Sequence, residues 1–191
     1  MRTPEFTEQD VAALEHNNRL FWDKLNNESD LGMVLSAGAY FENLLSRCTK
    51  RYFLAGDVSK GVMGAGGPLG SFSALLDCNY LLRIIDADQR TALKKLAKIR
   101  NVFAHELQSS FDETSMADRV DDYAASYVAP EIIKDMGESK KSAGEKFSFT
   151  SFVISMDLSH REIDVWMHTL GYSDLIPPHL DDEIRRSESS S

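Results

Sequence analysis

Asp86-Ala87-Asp88-Gln89-Arg90-Thr91-Ala92-Leu93-Lys94-Lys95-Leu96-Ala97-Lys98-Ile99-Arg100-Asn101-Val102-Phe103-Ala104-His105 contains neither glycine nor proline. A breaker-free run of this length favours helix, with Asp86 or Asp88 as its start signal. At about 100° per residue, Leu93, Leu96, Ala97, Phe103 and Ala104 fall on one apolar stripe. Arg90, Lys94 and Lys98 form a basic stripe beside it, the pattern of a solvated face.

The chain on either side has the same texture. A helix is expected after Thr7, with Asp10 completing a weak capping box and Val11, Leu14, Phe21, Trp22 and Leu25 on its apolar side. Ser29 or Asp30 caps a second helix whose Val34, Gly38, Phe41, Leu45, Cys48 and Tyr52 recur at steps of three and four. Glycines 61, 64, 66, 67 and 70 then predict a loop to about Gly70. Residues 71–85 are apolar on two sides, which predicts a central helix. Thr114 to Tyr127 forms another, Pro130 interrupts, and 138–145 reads as a solvated connection. The last helix, 146–170, would span about 37 Å at 1.5 Å per residue and stop at Gly171. The expected architecture is an all-α, single-domain bundle of about six or seven helices with a long C-terminal helix. It divides into an N-terminal helix (1–28), a helical core (29–171) and a partly disordered tail (172–191).

Composition narrows the function. The chain has 191 residues, 42% hydrophobic and 27% charged, with 30 acids against 21 bases and a net charge of −9. That is enough chain for one substantial core. The acid excess weighs against gripping nucleic acid by general charge, which needs many Lys and Arg. No apolar run approaches the ~18 residues that cross a bilayer, and the N-terminus lacks the apolar core of a signal peptide. Two cysteines, Cys48 and Cys78, make no disulfide framework, so a cytoplasmic protein with free thiols is expected.

Few motifs carry chemistry. The segment from Gly64 to Ser71 precedes a helix but lacks the Gly-Lys-Ser/Thr ending and the preceding strand of a phosphate loop, so it reads as a structural turn. The five histidines have no ligand spacing, which predicts no metal, and no cofactor is expected. No serine nucleophile elbow is present. Arg100 is the exception, because a guanidinium in the middle of an apolar stripe must meet a carboxylate inside the protein. Asp77 and Glu42 sit in comparable apolar surroundings, and Asp77 is the favoured partner. A second reading takes Arg100, Asn101 and His105 as an RNA-cleaving Arg-Asn-x-x-x-His motif, with histidine handling a 2′-hydroxyl proton and arginine stabilising the phosphorane. The helical spacing turns Arg100 about 140° from His105, which favours the structural reading.

Gly32-Met33-Val34, the segment from Gly67 to Ala74, Asp77, Tyr80 and Leu81, and the block Ile99 to His105 together resemble the mannitol operon repressor (MtlR-type) family over about 30–170. The resemblance implies an all-helical cytoplasmic protein that represses a sugar-alcohol uptake operon. It has no DNA-reading helix-turn-helix, so it would act through another protein, a regulator or a transport-system component. Leu75-Leu76-Asp77 departs from that family's pattern, in which an arginine precedes the acid. The Arg-Asn-x-x-x-His block also resembles the HEPN superfamily, whose members include metal-independent endoribonucleases and RNA-binding domains. The expectation is therefore a non-enzymatic repressor working by protein contact, without direct DNA or membrane binding. The long last helix, with its large apolar residues, favours a homodimer.

Overall fold

The computed structural model describes residues 8–53, 56–106, 109–138 and 141–172, and within these it is entirely helical. Eight helices follow in order: α1 (Glu8–Asn27), α2 (Asp30–Lys50), α3 (Asp57–Met63), α4 (Phe72–Leu81), α5 (Ala87–His105), α6 (Thr114–Ala125), α7 (Pro130–Glu138) and α8 (Ala143–Tyr172). The expected tail lies outside the described residues beyond Tyr172.

Local chemistry sets most of the boundaries. Ser29 accepts from the Gly32 N–H at the start of α2, and Ser71 accepts from Ala74 at the start of α4. Asp86 and Gln89 make a reciprocal capping box that opens α5. Ser142 and Glu145 make another, with the Ser142 N–H donating to Glu145 Oε2 and the Glu145 N–H to Ser142 Oγ. The last helix therefore begins at Ala143, inside the segment expected to be a connection. It also runs through Gly171 to Tyr172, so its 30 residues span about 45 Å.

Two short helices depart from expectation. The stretch expected to be loop as far as Gly70 contains α3. Pro130 opens α7 instead of only interrupting the chain, because at the first helical position its missing N–H has no partner to lose.

The helices pack around α2, which contacts α1, α4, α5 and α8; α8 in turn contacts α1, α2 and α6. Val34, Phe41, Leu44 and Leu45 of α2 meet Leu93, Leu96 and Ile99 of α5 and Ile154 and Leu158 of α8 in one core, with Phe21 and Leu25 of α1 in the same cluster. α4 was expected at the centre but packs only one side, against α2 and α5, and leaves Tyr80 and Leu81 exposed. Cys48 is fully buried, and burial pushes its thiol up to about 12.

The seams also carry hydroxyl groups. Ser148, Ser151, Ser155 and Ser159 of α8 are buried. Ser155 donates to a carbonyl of its own helix, the single Ser159 hydroxyl proton is shared between the Ser155 carbonyl and Asn18 Oδ1 of α1, and Ser151 pairs with the Tyr123 hydroxyl of α6. Asn79 of α4 donates to Thr49 Oγ1 at 2.8 Å and to the Leu45 carbonyl at 3.3 Å, tying α4 to α2.

α4 ends in a Schellman cap, in which the Ile84 N–H donates to the Asn79 carbonyl and the Arg83 N–H to that of Tyr80. Arg83 accordingly adopts φ +59°, a left-handed conformation in which a Cβ is strained. Replacing Arg83 by glycine is expected to raise folding stability by about 0.5–1 kcal/mol in denaturant melts. A loss of stability would mean that the Arg83 side chain supports the folded chain.

Candidate functional site

Arg100 leaves α5 and crosses α2 where α2 has no side chain. A Cβ built on Gly38 would lie 2.6 Å from Arg100 Cδ, so the arginine stem occupies the space that any other residue at position 38 would need. One turn further along α2, Glu42 Oε2 accepts from Arg100 Nη1 at 3.4 Å. The guanidinium carbon stands 6.0 Å from the Phe72 ring centroid, at the start of α4.

The ion pair expected between Arg100 and Asp77 is not formed. Asp77 is held by Arg90, whose Nε and Nη2 donate to Oδ1 at 2.9 and 2.6 Å, with Lys94 Nζ at 3.5 Å. The hairpin explains the exchange. Residues 77 and 90 lie equally far from the corner at Arg83–Ile84, so they come level where α4 and α5 pack together, while Arg100 lies several turns beyond. The Arg100–Glu42 pair is also less interior than expected, with side chains 32% and 40% exposed. Such a pair contributes about 0–1 kcal/mol, and the packing of the stem against Gly38 sets the geometry.

The basic stripe is therefore largely spoken for. Arg90 and Lys94 converge on Asp77, while Lys98 is exposed. Arg90 also sets its guanidinium carbon 5.0 Å over the Tyr80 ring. The hydrogen bond from Arg90 holds the Asp77 carboxyl below its ordinary value. Asn101 and His105 are both exposed, His105 in the last turn of α5, while Arg100 turns under toward α2; helical spacing separates Arg100 from His105.

The glycine-rich turn serves close backbone approach. A Cβ on Gly67 would fall 2.2 Å from the Gly61 carbonyl oxygen, and one on Gly70 2.2 Å from that of Gly64. Among the described residues no group of three or more His, Cys, Asp or Glu is arranged to hold a metal ion. No helix there is long and apolar enough to cross a membrane. The place of Gly38 is not legible in the sequence, because its significance lies in the side chain of Arg100, far along the chain on α5.

Two measurements check this geometry. Gly38→Ala should gain little or lose up to about 2 kcal/mol in wild type, where overpacking opposes the better helix propensity of alanine. In an Arg100→Ala background it should stabilise by up to about 1 kcal/mol. Equal effects in both backgrounds would remove the claimed contact. NMR titration of Asp77 should give a midpoint below the usual carboxylate value, returning toward it in Arg90→Ala. Because the folded pKa is depressed, the stabilisation is present above the ordinary value near pH 4 and is lost as pH falls through the depressed one.

In comparisons with known proteins, no family model matches the chain and no characterised protein matches it in sequence. Its fold is similar to that of MtlR in the X-ray structure of the MtlR–HPr complex from Escherichia coli, with a TM-score of 0.59 and 13% identity over 74% of this chain and 98% of that one. At that identity the finding concerns architecture: this chain has a distantly MtlR-like helical fold.

Proposed function

We propose that this chain is a transcriptional regulator of the MtlR kind that acts by contacting another protein, with HPr or an HPr-like protein as the partner, and that it is not an enzyme. The observation that carries the reading is the fold likeness to an MtlR captured in complex with HPr, which extends over nearly the whole of that chain. The net charge of −9 supports a protein partner over an operator site. The Arg100 environment supports regulation over RNA cleavage, since Glu42 and the α2 groove engage the guanidinium that a phosphorane would require.

Calorimetric titration of the purified chain with Escherichia coli HPr, and with the HPr of its own host, should give saturable binding with a Kd on the order of micromolar. Operator DNA should show no mobility shift and RNA should remain intact. Absence of saturation with either HPr would overturn the partner. RNA cleavage by wild type that disappears in His105→Ala would replace this reading with the endoribonuclease.

A further inference from the structure

The corner between α4 and α5 carries features that the packing of the bundle does not require. Arg83 holds a left-handed backbone at a capping position where glycine is usual. Leu81 beside it is 79% exposed, and Tyr80 is exposed as well. Two pockets share Leu81, Arg83 and Arg161 in their walls, one bordered also by Leu82 and Asp164 and the other by Ile85 and Asp86.

The charges here are incompletely used. Among the described residues no carboxylate lies within ion-pair distance of Arg83, and the pair between Arg161 and Asp86 is long, at 3.8 Å. Tyr80 is held in advance, because Arg90 covers its ring and is itself fixed by Asp77 at 2.6 Å. Tyrosine and arginine are enriched at protein-contact hot spots, and Tyr80, already held, has little side-chain freedom left to lose on binding, while Leu81 adds exposed apolar area beside them. Backbone strain kept at an exposed position points to use of the side chain that causes it.

We infer that this corner is the docking surface for a protein partner that presents an apolar side chain flanked by a carboxylate. The apolar group covers Leu81, and the carboxylate meets Arg83 or Arg161. Nucleic acid fits less well, because Asp86 and Asp164 border the patch and repel a run of phosphates, whereas one carboxylate suits a guanidinium fork. The inference rests on the protein-contact reading above and adds where contact is made.

The test places photoreactive p-benzoylphenylalanine at position 81 of the full chain in its host cells, with position 35 as a control. Irradiation should give a protein adduct at position 81. Its crosslinked peptide should carry an apolar residue adjoining Asp or Glu. The yield should fall at least tenfold in the double variant Arg83→Glu/Arg161→Glu, with circular dichroism unchanged, and should persist in Lys98→Glu. No adduct, an adduct with nucleic acid, with a second copy or with residues 173–191 of the same chain, a crosslinked peptide without that apolar–acidic pairing, or a yield indifferent to charge reversal overturns the inference. A charge-dependent adduct carrying that pairing, on a protein other than HPr, supports this surface and counts against HPr as partner. HPr binding that is unchanged in Leu81→Asp does the reverse.

Discussion

Close approach of α5 to α2 at Gly38 governs the arrangement of everything near Arg100. The arginine stem lies where a Cβ would stand, and its head reaches Glu42 one turn on and Phe72 on the neighbouring helix. Three helices are thereby held in register around one long side chain. The arrangement depends more on shape than on charge, because a 3.4 Å pair with side chains 32% and 40% exposed stabilises little. It also gives the Arg-Asn-x-x-x-His block an architectural use.

Much of the fold was legible because period and caps agreed along the longer helices. For α2, α5 and α6, apolar residues recur at helical spacing, and serine or acidic caps mark the starts of α2 and α5. The helices that escaped notice are the ones whose residues argue against helix when read alone: α3 contains Gly61, and α7 opens on Pro130. α4 misled for a different reason. Apolar residues on two sides imply burial on both, yet Tyr80 and Leu81 face outward.

Only part of the site was readable. That Arg100 needed a carboxylate followed from its place on an apolar stripe, but which one depends on the α4–α5 hairpin and on the gap at Gly38. The corner pairs Asp77 with Arg90 and leaves Glu42 to Arg100. These are facts of tertiary register, and a single helix cannot report them. The exposed corner at Leu81 and Arg83 was equally hidden, because an αL arginine has no signature in composition or period.

The contact of α1 with α8 has a consequence for how the chain is made. The Ser159 hydroxyl donates to Asn18 across 141 residues, and the Phe21 and Leu25 side chains share a core with Ile154 and Leu158. A ribosome adding about 5–20 residues each second needs roughly 7–30 s to travel that far. Through that interval α1 can pack on α2, but the side of it that faces α8 stays uncovered until α8 emerges and closes over it.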